Sequence, residues 1–390
     1  MTKAAQKDKT PAADAPAGAQ KPVYARLMPG DPAPWFVQRA CCNPSYRFDT
    51  AAGRYIVLGF IASSADPLSA DALTVLETER ALFDDAKVSY FNVTLDPADE
   101  TEGRLVTNLP GIRHFFDFDG AVSTAYGAIP RNHAGGKNMA VRRFWLVLDP
   151  TLRVIKNIPF IDNGQHKQQL VSFLKSLPPV EKFAGLELQA PVIMLPNVFE
   201  PALCADLIKM YDAQGGVDSG FMRDVNGKTV SVTDYGHKRR SDLVLEDEDL
   251  LQILRHRIHR RIVPEIKKVH FFDVSRIERF IVACYDSSNR GFFNAHRDNT
   301  TKGTAHRRFA VTINLNNDFE GGELNFPEYG PRTFKPPVGG AVVFSCALLH
   351  AVTPVTAGRR FAFLPFLYDE AAAKVRAENQ HFLNLEEKAK

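Results

Sequence analysis

Apolar positions along this chain come in two textures. From Gly30 to about residue 177, short continuous apolar runs alternate with stretches of helical period. Tyr55-Ile56-Val57-Leu58-Gly59-Phe60-Ile61 is too apolar for either face to meet water, and it predicts a buried strand. A helix is expected from Ala70 to Asp84, with strands at Val88 to Val93 and Arg143 to Leu148. An amphipathic helix at Gln165 to Leu177 sets Leu170, Phe173 and Leu174 on one side. Strands alternating with helices predict a mainly parallel or mixed α/β sheet.

The second texture opens at Val192-Ile193-Met194-Leu195-Pro196. Helices are expected from about Pro201 and from Glu248 to Lys268. Short strands come after them at Ile277 to Tyr285, Phe309 to Leu315, Gly322 to Phe326, Gly340 to Phe344 and Phe361 to Tyr368. Several short strands punctuated by Gly, Pro and Asn predict a sandwich or jelly roll. Between the textures, Pro178-Pro179-Val180 bars helix continuation. The expected division is a domain at 25–180, a linker at 181–190 and a domain at 191–390. A tail at 1–24, rich in Ala, Lys, Pro and Gln, has little to bury and is expected to be mobile.

Composition narrows the setting. At 390 residues the chain exceeds one ordinary core, and 45% hydrophobic residues supply two. With 48 Lys+Arg against 45 Asp+Glu, the net charge of +3 creates no global field, so no specific nucleic-acid or membrane partner is expected. No apolar run approaches the ~18 residues of a membrane span, and no apolar signal core is seen at the start. The five cysteines, Cys41, Cys42, Cys204, Cys284 and Cys346, form no CxxC pair, which suits a reducing, cytoplasmic location.

Candidate chemistry is concentrated in the second texture. His296 and Asp298 lie two apart in Gly291-Phe292-Phe293-Asn294-Ala295-His296-Arg297-Asp298-Asn299, and His350 comes later, followed by Arg360. If 291–299 begins as a strand, His296 and Asp298 leave the same face, and His350 must arrive from a neighbouring strand. Two imidazoles and a carboxylate on one face of an octahedral metal leave three positions open, which suits non-haem Fe(II) better than a closed zinc site. The histidines of Arg255-His256-Arg257-Ile258-His259-Arg260-Arg261, together with His270, read as a solvated helix face. His306 reads as a loop residue that could reach a substrate rim.

Ala283-Cys284-Tyr285, His296-Arg297-Asp298, Gly321-Gly322-Glu323-Leu324 and the run from His350 to Arg360 occur in an order that resembles the prolyl 4-hydroxylase type of Fe(II)/2-oxoglutarate-dependent dioxygenase. The resemblance covers Ala190 to Asp369. It implies iron ligation by His296, Asp298 and His350, a clamp by Arg360 on the distal carboxylate of 2-oxoglutarate, and a Tyr285 hydroxyl on the same co-substrate. Guanidinium suits the clamp because it offers a permanent bidentate fork. Arg359, its neighbour, should face the other way. Asn314 departs from the tyrosine that some relatives carry. Related halogenases replace the ligand carboxylate, so Asp298 points to hydroxylation.

In the first domain, Gly30-Asp31-Pro32-Ala33-Pro34-Trp35-Phe36, the Tyr55 to Ile61 strand, Phe91-Asn92-Val93 and the segment Arg143 to Pro150 resemble the peroxiredoxin branch of the thioredoxin fold. The thiolate that peroxide chemistry needs at the following helix start is replaced here by Ala62-Ser63-Ser64-Ala65-Asp66-Pro67-Leu68-Ser69. A peroxidase-like fold without that activity is expected, serving as a scaffold, partner-docking or substrate-presenting module, or simply as packing support for the oxygenase domain.

The expected whole is a two-domain α+β protein: a thioredoxin-like α/β domain followed by a double-stranded β-helix, or jelly roll. The resemblance implies a dioxygenase that hydroxylates a substrate C–H bond with Fe(II), 2-oxoglutarate and O2, releasing succinate and CO2, with ascorbate as a candidate stimulant. A prolyl residue of a protein or peptide is the nearest precedent. A small molecule stays open as substrate, as does a homodimer. The competing readings are a redox-sensing or docking module with a vestigial metal site and, third, a thiol peroxidase using Cys41 or Cys42.

Overall fold

The computed structural model describes residues 21–41, 43–132 and 140–383. Most of the tail lies outside these, as does Cys42. From Val23 the chain is engaged with the first domain: Val23 donates to Asn132 at 2.9 Å, and the Arg142 guanidinium lies 3.5 Å over the Tyr24 ring.

The first domain is built on a seven-stranded sheet. Tyr55–Ala62 pairs in parallel with Val88–Thr94, which pairs in parallel with Ile112–Phe116. On its other side Tyr55–Ala62 pairs antiparallel with Phe144–Leu148, and the hairpin Val37–Ala40 and Asn43–Arg47 closes the far edge. Because strand side chains alternate, Ile56, Leu58 and Phe60 enter one core with Phe91 and Phe115, while Tyr55, Val57 and Ile61 enter another with Trp145. The helix Gln165–Ser176 buries Leu170 and Leu174 against the second core. This is the expected thioredoxin-like α/β arrangement.

The long helix expected from Ala70 to Asp84 is broken into Pro67–Leu73, Val75–Thr78 and a 3-10 turn at Arg80–Leu82. Thr74 and Thr78 turn their hydroxyls back onto the carbonyls of Asp71 and Thr74, at 2.7 and 3.1 Å, a local competitor to regular helix.

The second domain faces a nine-stranded sheet with a five-stranded one. The larger holds Ile281–Asp286, Phe309–Asn314, Arg359–Phe363 and Phe366–Tyr368; the smaller holds Phe292–His296, His350–Val352 and Leu324–Asn325. Between them pack Tyr285, Phe293, Leu324, Phe344 and Phe366. The helices Pro201–Gln214, Glu248–Arg261 and Val263–His270 cover the outer face of the larger sheet through Leu207, Leu254, Ile258 and Ile266. This is the expected jelly roll. The helix expected from Glu248 to Lys268 divides because Pro264 removes a backbone donor at the start of the second piece. The strand expected from Ile277 to Tyr285 also divides, at Arg279, whose φ of 68° is left-handed. The segment read as a linker carries no helix or strand between Lys182 and Ile193.

The two domains interlock. Leu349, from the second, is fully buried in a core cluster of the first, with Ala295 packed against the same cluster. The Arg297 guanidinium, 2% exposed, lies between Asp49 of the first domain at 3.2 Å and Glu328 at 3.0 Å, and 4.3 Å over the Trp35 ring. Gly53 meets Pro327 so closely that an added Cβ would stand 2.7 Å from the proline Cβ.

Candidate metal centre

Register brings the three candidate ligands together. Phe292–His296 runs antiparallel to His350–Val352 with His296 opposite His350, and the two ring centroids are 4.2 Å apart. The strand stops at His296, so Asp298 reaches the site from the turn beyond rather than from the same strand face. Its backbone N–H, donated to Cys346 O at 2.9 Å, fixes that turn. The Asp298 carboxylate lies 3.6 Å from His296 Nε2 and 3.3 Å from His350 Nε2. One donor atom from each residue falls within 4.8 Å of the others.

The imidazoles are oriented for ligation. His296 Nδ1 faces Asn294 O at 2.8 Å, and His350 Nδ1 faces Leu348 O at 3.0 Å. A carbonyl can only accept, so each Nδ1 carries a proton and each Nε2, facing Asp298, is the atom left to ligate a metal. Burial, reinforced by His350, pushes the His296 imidazole down to about 4. Burial opposes the charge on Asp298, but His350, His296 and Arg307 outweigh it and hold the carboxyl below its ordinary range. Two imidazoles and a carboxylate form a donor set that fits a divalent ion with open positions.

These ligands line a cavity together with Tyr285, Arg360, Arg240 and Arg279. Arg360 is 2% exposed; its Nε donates to Asn314 Oδ1 at 3.2 Å and its Nη2 to Thr312 Oγ1 at 2.8 Å. Gly322, at φ 63°, leaves room for it: a Cβ there would stand 3.3 Å from Arg360 Cδ. Arg359 points outward and pairs with Asp212 at 3.0 Å. Tyr285 stands opposite Arg360 in register, and its hydroxyl lies 3.4 Å from Arg240 Nη1.

Asn314, where the sequence departs from some relatives, holds the guanidinium of Arg360 and is itself fixed by donating to Pro336 O at 3.0 Å. Arg240, Arg279 and Asp242 were not singled out in the sequence. Arg240 makes a bidentate pair with Asp242, both contacts at 2.7 Å, and Arg279 reaches the same carboxylate at 3.3 Å. Burial, with Arg240 and Arg279 nearby, pushes the Lys238 amine down to about 5.

His306 is not at a rim. It is 3% exposed and pairs with Glu278 at 2.9 Å. His256, His259 and His270 are exposed on their helices.

In the first domain, the helix start where a thiolate would stand is filled by polar pairs. Asp66 caps Pro67–Leu73 and lies 2.8 Å from Arg143, Ser63 bonds to Asp96 at 2.6 Å, and Ser64 bonds to Asp99 at 2.5 Å. Cys41 is exposed beside Thr107, away from that position.

Residues 280–368 match the 2OG-Fe(II) oxygenase superfamily, so the C-terminal part of the chain is a 2OG-Fe(II) oxygenase domain. A PKHD-type hydroxylase of Cupriavidus metallidurans is 39% identical over 80 residues, 18% of this chain and 35% of the relative. A PKHD-type hydroxylase of Shewanella sp. strain ANA-3 is 28% identical over 200 residues, 49% of this chain and 83% of the relative. Among solved structures, a prolyl hydroxylase of Trichoplax adhaerens is similar over 54% of this chain and 95% of its own, with 18% identity and a TM-score of 0.39. The peroxidoxin BcpB of Mycobacterium tuberculosis is similar over 39% of this chain and 99% of its own, with 21% identity and a TM-score of 0.32. Among the described residues no helix is long and apolar enough to cross a membrane.

Proposed function

We propose that the chain is a 2-oxoglutarate-dependent dioxygenase that hydroxylates a C–H bond, with Fe(II) held by His296, Asp298 and His350. The observation that carries this reading is the convergence of two imidazoles and a carboxylate in the cavity that also contains the Arg360 guanidinium. Bound there with 2-oxoglutarate and O2, the metal supplies an oxidant able to hydroxylate an unactivated carbon, with succinate and CO2 as the other products.

The chain's own residues supply position and charge. Asn294 O and Leu348 O fix the two imidazole tautomers. Arg360, held by Asn314 and Thr312, offers its remaining N–H groups to the distal carboxylate of 2-oxoglutarate. Phe293, stacked 3.5 Å from the His296 ring, and Phe344, 4.7 Å from His350, keep water from the ligand faces. Asp298, as an intact carboxylate ligand, favours hydroxylation over halogenation. A prolyl residue of a protein or peptide and a small molecule are both substrates this site could serve. Ascorbate stimulation and a cytoplasmic location belong to the same reading, the latter supported by Cys204, Cys284 and Cys346 as buried free thiols.

Anaerobic addition of Fe(II) and 2-oxoglutarate should give a weak visible charge-transfer band that is lost in His296→Ala. Absence of the band, and of succinate formed on aeration, would sink the assignment.

A further inference from the structure

Charge in the cavity is unevenly matched. Three guanidiniums line it, from Arg240, Arg279 and Arg360, and two carboxylates answer them: Asp298 in the cavity wall and Asp242 behind it. On the oxygenase reading, on which this inference rests, a divalent metal and a dianionic 2-oxoglutarate cancel one another. Among these groups one positive charge is left over, on the guanidinium with the weakest partner.

Geometry identifies which one. Arg360 faces the co-substrate, and Arg240 takes both oxygens of Asp242 in a fork, with contacts of 2.7 Å. Arg279 reaches only Asp242 Oδ2, at 3.3 Å, and that oxygen already accepts from Arg240 Nη2 and, at 2.5 Å, from Ser219. Its guanidinium otherwise lies 5.4 Å over the Phe366 ring, itself part of the cavity wall. Arg279 also carries the left-handed backbone, φ 68°, that divides the strand predicted across this segment. A bulky residue adopts that conformation at a cost, and such strain gathers where a side chain must be aimed.

We propose that the substrate of this enzyme presents a carboxylate, received in the cavity by Arg279 beside Arg240. A carboxylate fits because its two in-plane oxygens match the guanidinium fork and its single charge answers the one left over. Two sources offer this group: a free amino acid and the C-terminus of a peptide.

The test uses full-length protein under anaerobic conditions, loaded with Fe(II) and saturating 2-oxoglutarate, and titrated calorimetrically. One panel is the free L-amino acids, a second is dipeptides with free C-termini, and a third is the matching carboxamides. Binding of 2-oxoglutarate itself is measured in the same samples. Acids should bind at least tenfold more tightly than their amides, and Arg279→Gln should erase that preference while Arg279→Lys keeps part of it. Binding confined to the first panel identifies a free amino acid; binding in the second identifies a chain end. Acids no better than amides, or no acid bound at millimolar concentration, overturns the proposal while 2-oxoglutarate binding leaves the oxygenase reading standing. Loss of metal-dependent 2-oxoglutarate binding in the wild type overturns both. The acid-to-amide comparison needs no variant, so a misfolded Arg279→Gln does not blunt it.

Discussion

Arg297 and Asp49 are 248 residues apart in sequence and 3.2 Å apart in space, and Arg297 is the residue between His296 and Asp298. The pair therefore ties the first domain to the segment that carries two candidate ligands. Both side chains are 2% exposed, so neither charge has water to fall back on.

Removing one partner should cost more than the pair contributes. Arg297→Met leaves Glu328 as a buried carboxylate without its cation and Asp49 with Arg47 alone, 3.2 Å away, and should lower stability by roughly 3–5 kcal/mol. Asp49→Asn keeps a polar acceptor and Glu328, and should lower it by about 1–3 kcal/mol. Urea unfolding measures both. Metal affinity should fall in the two variants as well, since the turn that positions Asp298 begins at Arg297.

The clamp depends on a neutral amide. Asn314→Ala removes the acceptor of Arg360 Nε and should raise the Kd for 2-oxoglutarate by about tenfold, the value of a hydrogen bond to a charged group. Arg360→Lys keeps the charge and loses the fork, and should raise it further. Titration at fixed Fe(II) distinguishes them; an unaltered Kd in Asn314→Ala would assign that amide to packing alone.

Metal retention should track the donor set. His350→Ala and Asp298→Ala each remove one donor and should weaken divalent binding by more than ~100-fold, read by competition with a chromophoric chelator. Cys346→Ser, which alters a buried neighbour of the Asp298 turn without touching a donor, should weaken it far less.

Stability should fall on mild acidification of the metal-free protein. Burial holds His114, His237 and His296 below the ordinary histidine value. Their folded pKa values lie below the unfolded ones, so unfolded chains take up protons first as the pH drops. Their stabilising contribution is complete above ~6.5 and is lost as pH falls below it, for His296 down to about 4. Denaturation midpoints at pH ~7.5 and ~5 test this; equal midpoints would contradict it.

The first domain should not turn over peroxide. Its helix start presents Ser63, Ser64 and Asp66 already bonded to Asp96, Asp99 and Arg143. Peroxide loss with the protein should be the same in wild type and in a Cys41→Ser, Cys42→Ser variant. A rate that disappears in the variant would restore the thiol peroxidase reading.

How much of this was legible in the sequence depends on the range of each interaction. The buried strand from Tyr55 and the jelly-roll strands announce themselves by local apolar pattern, and His296, Asp298, His350 and Arg360 by type and spacing. Helix breaks at Thr74 and Pro264 turned on single residues inside otherwise periodic stretches. Arg240 and Arg279 carried no local signal. They meet because Ser241–Val244 pairs with Ile281–Asp286, a long-range register that no short window contains. The Arg297–Asp49 pair is longer in range still, and an arginine between two ligands reads in sequence as an ordinary surface charge.

The seating of Leu349 in the first domain's core, one residue before His350, bears on how the chain can be dissected. An oxygenase half cut free at the linker would carry an exposed leucine and a guanidinium stripped of Asp49 and Trp35, with Glu328 as its remaining carboxylate, each next to a ligand. Grafting the half onto another thioredoxin-like carrier would meet the same difficulty unless Asp49 and the notch at Gly53 travelled with it. The smallest portable unit is the pair of domains, and the half without the metal is part of the metal's housing.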